Sequence, residues 1–198
     1  VKHDQEKVYG DANFAKNTLV DLPSDYTGSV TYTVTSGNSV AISGNDVVVN
    51  GVGETVINVK TEDTPRYKAT EVSVKVNVNK KNLGTITSQD VEWDTAQKVY
   101  DDNNQLQLNG HVKAAKGIVG SDHIDITATA TLDGKEVGNH HATLSNINIT
   151  GSDKYSFTES FTNGPDVTIT KKDAHLSIKD ITVEYGSNEW KALSSGHF

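Results

Sequence analysis

The sequence predicts an all-β protein made of tandem antiparallel β-sandwich modules. Residues 71–80, EVSVKVNVNK, alternate apolar and polar side chains without a break, which is typical of a strand with one buried face. Turn residues interrupt such segments about every 8–12 residues, as they do in sandwiches. A phrase built around a tyrosine also recurs at intervals of roughly 90 residues, a spacing that indicates repeated domains and is too long for a solenoid unit. The three phrases are KVYGDANF from Lys7, KVYDDNNQL from Lys98 and VEYGSNEW from Val183.

The first repeat contains five segments with the composition of strands. Val, Ile, Thr and Tyr dominate each segment, and turn residues follow it. Asn50-Gly51, between two of these segments, predicts a tight hairpin turn. The predicted strands cover residues 29–34, 39–43, 46–50, 54–60 and 71–80.

The second repeat shows a similar succession of predicted strands and turns, with a different sequence. Residues 122–133, DHIDITATATLD, alternate again, and Asp133-Gly134 then predicts a tight turn. Asn163-Gly164-Pro165 predicts another turn, between KYSFTESF and DVTITKK. The nearest approach to a helical pattern, residues 110–120, is short and bounded by glycines, so we expect no substantial helix.

The ends of the alternating segments predict the module boundaries. Two such segments end on a lysine pair, at Lys80-Lys81 and at Lys171-Lys172. We therefore expect modules at residues 1–81 and 82–172, with residues 173–198 as the truncated start of a third. The connectors lack the Gly, Ser or Pro content of a flexible linker, so neighbouring modules should keep a restricted relative orientation.

Two further tyrosines have the sequence context of a tyrosine corner, in which a phenol is anchored to backbone where the chain crosses between sheets. Tyr67 and Tyr155 each follow a segment that contains an aspartate and precede a closing strand. This pattern extends the prediction to immunoglobulin-like sandwiches.

Composition excludes several classes of function. The 198 residues contain neither Cys nor Met. The absence of cysteine rules out disulfides, thiolate metal sites and cysteine nucleophiles. The formal net charge is −8 with scattered lysines and a single arginine, so we expect neither nucleic-acid binding nor attraction to anionic membranes. No segment has the length of a membrane span or the pattern of a signal peptide. The start at Val1 suggests a fragment cut from a longer protein.

The chain resembles the bacterial Ig-like repeats of surface proteins, the MBG and YDG types. VYGDANF, TGSVTYTV and the segment from GVGETVINVK to VNVNKK carry the resemblance in the first module. KVYDDNNQLQL and TGSDKYSF in the second are similar to the YDG class, except that Asp102 stands where glycine is usual. The resemblance implies arrays of such modules on secreted or wall-anchored proteins, commonly of Gram-positive bacteria. These arrays act as stalks that hold an adhesin or enzyme away from the cell.

Two groups of side chains suggest metal sites. His140-His141 with His123 and Asp122 could be zinc ligands, but adjacent strand residues point to opposite faces, which favours solvated histidines. The acidic turns at residues 61–64 and 101–105 could supply oxygens to calcium, although Asp and Asn also stabilise turns without an ion. We therefore assign no metal and no cofactor.

Other chemistry has weaker support. The sequence has neither a nucleophile elbow nor a phosphate-binding glycine loop, so we expect no catalytic residues and no enzyme activity. An isopeptide crosslink between Lys98 and a partner such as Asp166 is conceivable. Trp93 and Trp190 could form sugar-binding platforms, but packing at a module junction is the favoured interpretation.

These observations predict a non-catalytic stalk or adhesin segment of an extracellular bacterial surface protein, spacing and presenting a functional tip. Its expected partners are neighbouring modules of the same chain, with a host or wall glycan or protein as a further possibility. The alternative is a glycan-binding module of an adhesin or a secreted glycosidase, whose ligand residues the sequence does not identify.

Overall fold

The computed structural model describes residues 1–94 and 96–177, and these residues form an all-β protein. Fifteen strands and three short 3₁₀ turns are present in the described part, which contains no α-helix. All strand pairing lies within residues 1–79 or within residues 81–170. We call these segments the N-terminal unit and the C-terminal unit. The 3₁₀ turns are Lys16–Leu19, Ser88–Asp90 and Ala114–Lys116.

The N-terminal unit consists of a four-stranded sheet in the order β1-β7-β6-β3 and a three-stranded sheet in the order β2-β5-β4. Val47 on the smaller sheet and Ile57 and Val74 on the larger one are fully buried in the same apolar cluster. The strands are β1 (Gln5–Val8), β2 (Phe14–Ala15), β3 (Val30–Ser36), β4 (Val40–Ser43), β5 (Asp46–Val49), β6 (Gly53–Thr61) and β7 (Glu71–Asn79).

The C-terminal unit consists of a six-stranded sheet in the order β10-β15-β13-β12-β11-β9 and a parallel pair, β14-β8. Ile126 of β12 and Val167 of β15 are among its most buried side chains. The strands are β8 (Lys81–Thr87), β9 (Val91–Trp93), β10 (Gln97–Val99), β11 (Gln105–Val112), β12 (Asp125–Leu132), β13 (Gly138–Thr150), β14 (Tyr155–Ser160) and β15 (Asn163–Thr170).

The strand predicted most strongly is confirmed. β7 buries Val74, Val76 and Val78 and exposes Ser73 and Lys75, as its period of two requires. The central position of β7 between β1 and β6 makes this strand the middle of the N-terminal core.

The predicted hairpin at Asn50-Gly51 is wrong. β5 and β6 belong to different sheets, and the backbone N–H groups of both residues donate to the carbonyl of Ser39, at 2.8 and 3.0 Å. The pair therefore carries the chain from one sheet to the other. The two-residue hairpin is at Gly44-Asn45, between β4 and β5, where Ser43 pairs with Asp46.

Two other turn predictions also need correction. The segment after Asp133-Gly134 is a wider loop, because β13 begins only at Gly138. Asn163-Gly164-Pro165 is no turn at all, since these residues begin β15. They lie beside an irregularity in the pairing of β13 with β15, and such a position tolerates a proline that cannot donate a hydrogen bond.

A buried polar contact links β6 to the residue before β4. Thr55 is 0% exposed and Ser39 1% exposed. The Thr55 Oγ1 accepts hydrogen bonds from the backbone N–H groups of Ser39 and Val40, at 2.9 and 3.3 Å, and lies 2.8 Å from the Ser39 Oγ. One hydroxyl thus satisfies polar groups that enter the core where the chain arrives at the smaller sheet.

The backbone explains why glycine is usual at the position of Asp102. Asp102 has a φ of 63°, in the left-handed region that glycine enters without steric cost and that aspartate tolerates better than most residues. Its carboxylate contacts the Lys135 Nζ at 2.5 Å, which gives the aspartate a surface partner at this strained position.

We expect Asp102→Ala to be less stable than Asp102→Gly by about 1 kcal/mol, the cost of a Cβ in a left-handed conformation. Both variants lose the contact with Lys135, so their difference isolates the backbone term. Urea unfolding followed by fluorescence measures it. Equal stability of the two variants would contradict this account of the departure from the family pattern.

The described residues form no helix that is long and apolar enough to span a membrane.

Candidate interaction site between the two units

The two units meet at a contact that follows from the path of the chain. The backbone N–H of Tyr9, just after β1, donates to the Asn79 carbonyl at the end of β7. Two residues later, the N–H of Lys81 donates to the Lys154 carbonyl at 3.1 Å, and Lys81 pairs with Tyr155. Because only Lys80 separates the two units, the opening tyrosine of the first lies beside the predicted corner tyrosine of the second.

Four side chains form this contact, which we call the tyrosine joint: Tyr9, Asp122, Lys154 and Tyr155. The hydroxyls of Tyr9 and Tyr155 both donate to the Asp122 Oδ2, at 2.8 and 2.9 Å. The two rings pack edge to face with centroids 5.7 Å apart, and Tyr9 and Tyr155 are only 7% and 3% exposed. One carboxylate therefore binds a phenol from each unit.

The lysine of the joint also bridges the two units. The Lys154 Nζ donates to the Tyr9 hydroxyl at 3.0 Å and to the Asp122 Oδ1 at 3.2 Å, and it lies 4.8 Å from the centroid of the Tyr9 ring. The ammonium group thus combines an ion pair with a cation–π contact. Asp122 is less exposed than Lys154, at 23% against 40% of the side chain, so the carboxylate is the more enclosed partner.

Close packing of the backbone accompanies these polar contacts. Gly10 has a φ of 92°, and a Cβ built on it would lie 2.6 Å from a methyl carbon of Val119 in the other unit. A side chain at this position would push the units apart. The backbone N–H of Val119 also donates to the Tyr155 hydroxyl at 2.9 Å, which holds this phenol in place for Tyr9.

The surroundings shift the pKa values of the joint. Burial alone would raise the pKa of Asp122, but the hydrogen bonds from Tyr9, Tyr155 and Lys154 outweigh burial and hold this pKa below its ordinary value. The hydrogen bond to Tyr9, ahead of the contact with Asp122, raises the pKa of Lys154. At neutral pH the joint therefore has a carboxylate at Asp122, an ammonium group at Lys154 and a neutral phenol at Tyr155.

We expect the joint to be lost at strongly alkaline pH. Burial, together with the nearby Asp122, raises the pKa of Tyr155 from 10.0 to about 12. A raised pKa contributes stability that is complete below the unfolded value of 10.0 and disappears as the pH rises through about 12. The ultraviolet absorbance of tyrosinate should show a last ionisation step near that pH. Tyr155→Phe should remove this step, and a titration with no such step would contradict the assignment.

The residues considered for zinc do not come together. Asp122 lies in the joint, while the His123 ring packs edge to face on His111 at 6.0 Å. The His141 Nδ1 contacts an Asp166 carboxylate oxygen at 2.6 Å, on the opposite face of β13 from His140. Among the described residues, no group of three or more His, Cys, Asp or Glu side chains is arranged to hold a metal ion.

His140 instead closes the loop that follows β12. Its Nδ1 lies 2.9 Å from the Asp133 Oδ1 and its Nε2 lies 2.7 Å from the Glu136 carbonyl oxygen. Both partners are acceptors, so both hydrogen bonds form only when the ring is doubly protonated. The Glu136 carbonyl first, and then Asp133, raise the pKa of His140 above 6.5.

We expect this loop to become less stable as the pH rises. With a raised pKa, the contribution of His140 is complete below pH 6.5 and is lost as the pH rises through the folded-state value. NMR titration of the His140 ring measures that pKa directly, and Asp133→Asn should lower it. A His140 pKa at or below the ordinary value would show that the hydrogen bonds of His140 to Asp133 and to the Glu136 carbonyl do not form in solution.

The acidic turns have partners within the protein. Asp101 contacts the Lys98 Nζ at 2.7 Å and accepts from the Asn103 N–H, and the Asp63 Oδ1 accepts from the Ala69 N–H at 2.9 Å. These contacts stabilise both turns through their aspartate side chains, in the manner of ordinary turns.

The structure does not pair Lys98 with Asp166. The Lys98 Nζ donates to the carbonyls of Asn103 and Gln105 and contacts Asp101, and its side chain is only 10% exposed. Asp166 is 71% exposed and faces His141. The arrangement thus gives no support to an isopeptide bond between these two residues.

Aromatic residues outside the joint have structural contacts. Trp93 is half-buried, and its indole N–H donates to the Ser88 carbonyl at 3.3 Å within the C-terminal unit. This contact and the pairing of Trp93 with Gly110 of β11 lie within the C-terminal unit, while packing of Trp93 at the junction stays a prediction. The Tyr67 hydroxyl donates to the Asp25 carboxylate and the Tyr155 hydroxyl to the Asp122 carboxylate. The backbone partner of the Tyr155 hydroxyl is Val119, 36 residues upstream, whereas a tyrosine corner uses backbone only a few residues upstream. Trp190 and the phrase around Tyr185 lie outside the described residues.

Sequence reasoning identified both tyrosines of the joint but not their contact. The phrase around Tyr9 predicts the opening of a module and the context of Tyr155 predicts a closing corner, while Asp122 enters as a candidate zinc ligand and Lys154 has no predicted role. The signal that could have linked them is the single-residue connector, which forces the start of the second unit against the end of the first.

Comparison with known protein families gives a match within the C-terminal unit. Residues 84–162 match the YDG domain family, so this part of the C-terminal unit is similar to a YDG domain. No curated protein matches the chain.

Two solved structures show a distant likeness. They are an endo-fucoidan hydrolase of glycoside hydrolase family 107 and a point variant of the same enzyme, with TM-scores of 0.32 and 0.29 and identities of 14% and 10%. The match covers 87% of this chain but only 28% of theirs, so the chain spans less than a third of their length. Likeness at this level carries no argument about activity.

Proposed function

We propose that the protein is a non-catalytic stalk or adhesin segment of an extracellular bacterial surface protein, built from immunoglobulin-like modules of the MBG and YDG types. Its direct partners are the neighbouring modules of its own chain, and its task is to hold a functional tip at a distance from the cell. The observation that carries this proposal is the tyrosine joint, which fixes one unit against the next across a connector of one residue.

The joint has the properties that a spacer needs. Apolar contacts alone would allow the units to slide, because such contacts have little directionality. Hydrogen bonds to a partly buried carboxylate are directional, and they are lost together if the units rotate. Asp122 therefore does more than attract Tyr9, since its two phenol contacts favour one orientation.

The YDG-type module and the resemblance of both units to surface repeats support the extracellular, cell-surface setting. Antibodies raised against the chain should bind intact cells of the bacterium that produces it. Binding only after lysis would contradict the surface location.

The fixed orientation can be measured directly. The chain has no native cysteine, so spin labels can be attached at Thr33→Cys in the N-terminal unit and at Thr127→Cys in the C-terminal unit, both exposed strand positions. Pulsed electron paramagnetic resonance should give one narrow distance distribution. The distribution should broaden in Tyr9→Ala and remain narrow in Tyr32→Ala, a matched change away from the joint. A broad distance distribution in the labelled chain that retains Tyr9 would refute the stalk mechanism proposed here.

A further inference from the structure

The C-terminal unit repeats the strand register that places Tyr9 in the joint. β1 and β7 pair in parallel, with Val8 opposite Asn79. β10 and β15 also pair in parallel, with Val99 opposite Thr170. In each case the next residue is a tyrosine whose backbone N–H donates to the last strand residue at 2.9 Å: Tyr9 to Asn79, and Tyr100 to Thr170. The two tyrosines thus occupy equivalent positions in the two units.

A pair of lysines follows the closing strand of each unit. Lys80-Lys81 follow Asn79, and Lys81 is the residue that pairs beside the corner of the next unit. Lys171-Lys172 follow Thr170. A further module could begin at Lys172 as the C-terminal unit begins at Lys81. Such a module would place its equivalents of Asp122, Lys154 and Tyr155 against Tyr100.

The surface around Tyr100 is less covered than the surface around Tyr9. Tyr9 is 7% exposed, whereas Tyr100 is partly exposed, and Val99 beside it is 55% exposed against 39% for Val8. Asp102 and then Glu136 raise the pKa of Tyr100 by their negative charge. Lys135, which contacts Asp102, offsets part of this charge, so two carboxylates and one ammonium group surround Tyr100. The Tyr100 hydroxyl donates to the Asp102 Oδ1 over a long distance of 3.5 Å, which leaves it available to a closer acceptor. The position thus combines partly uncovered apolar surface with a small excess of negative charge, which suits a partner that brings an ammonium group.

We propose that Tyr100 is a docking site for a further module of the same kind, located after Lys172, which carries an aspartate and a Lys-Tyr pair equivalent to Asp122, Lys154 and Tyr155. This inference rests on the proposed function and extends it by naming the partner surface. The incoming carboxylate accepts from the Tyr100 hydroxyl, and the incoming lysine lies over its ring. The same joint then repeats along the array.

The test uses an extended chain, in which residues 82–198 are repeated after Lys172. The appended copy carries Tyr100→Phe, so every modified Tyr100 peptide comes from the first copy. Nitration by tetranitromethane, followed by peptide mass spectrometry, measures the accessibility of each tyrosine. The Tyr100 rate should fall by roughly tenfold relative to the 198-residue chain, to the level of Tyr9.

Changes in the appended copy alone decide whether its corner gives the protection. Asp122→Ala with Lys154→Ala there should restore the reactivity of Tyr100, while Asp166→Ala, at an exposed position away from the corner, should leave it protected. Tyr100 that reacts equally fast in the extended and the 198-residue chains would overturn the inference. Tyr9 reports on the proposed function in the same samples, because a reactive Tyr9 would refute the existing joint independently of Tyr100.

Discussion

Asp122→Ala is expected to destabilise the C-terminal unit by about 2–3 kcal/mol, the cost of leaving enclosed hydrogen-bond donors without their acceptor. It should also release the two units from their fixed orientation. Trp93 lies within the C-terminal unit, so urea unfolding followed by fluorescence in a Trp190→Phe background, where Trp93 is the remaining tryptophan, reports on that unit. The spin-label distances between residues 33 and 127 report on the orientation.

The size of this effect follows from the number of partners that share one carboxylate. The Asp122 side chain accepts from Tyr9, Tyr155 and Lys154. Lys154 is 40% exposed and can be hydrated after the change, so most of the cost falls on the two phenols, which are nearly buried. Burial of the ammonium group is too slight for the full penalty of a broken interior ion pair.

Asp166→Ala is the matched control. Asp166 is also an aspartate with a side-chain partner, His141, but 71% of it is exposed. Exposed pairs contribute little, so this variant should change stability by less than about 0.5 kcal/mol and leave the distance distribution narrow. The mechanism would be wrong if Asp122→Ala behaved like Asp166→Ala in both measurements.

Acid should act like the Asp122 variant. The depressed pKa of Asp122 contributes stability that is complete above the ordinary value of 3.8 and is lost as the pH falls through the folded-state value. The orientation of the units should therefore loosen in strong acid and again near the ionisation of Tyr155, with a stable range between these limits.

The elements that the sequence predicted well are those whose pattern is local. In β7 every second residue is a valine, and a period of two identifies both the strand and its buried face within nine residues. The same reasoning identified the alternating strand β12, which begins at Asp125. Family resemblance indicated similarity to the YDG class in the second module, and residues 84–162 match the YDG domain family.

The features that the sequence did not predict depend on distant partners. The Tyr9 and Asp122 side chains are 113 positions apart, and no local pattern marks such a pair. Asn50-Gly51 has the composition of a hairpin turn, but the strands on its two sides do not pair with each other. β5, before it, belongs to the smaller sheet, whereas β6, after it, pairs with β3 and β7 in the larger one. Turn chemistry gives the local bend, while sheet assignment requires the whole fold.

A second large effect is expected in the N-terminal unit. Thr55→Val should destabilise this unit by about 3 kcal/mol, because it removes the acceptor of two buried backbone N–H groups. Those groups belong to Ser39 and Val40, and the Ser39 hydroxyl also loses its partner. Valine has nearly the shape of threonine, so the change is electrostatic and creates no large cavity.

Hydrogen exchange measured by mass spectrometry suits this test, because it resolves the two units. Amides of β4, β5 and β6 should exchange faster in Thr55→Val, while the fluorescence of Trp93, again in the Trp190→Phe background, keeps its unfolding midpoint. Thr55→Ser retains the hydroxyl and should cost only about 1 kcal/mol for the lost methyl group. Thr33→Val, at an exposed position of β3, should have almost no effect. If Thr55→Val were no more harmful than Thr55→Ser, packing of the methyl group would be the main contribution of Thr55, and the hydroxyl would not be what holds the residues before β4 against β6.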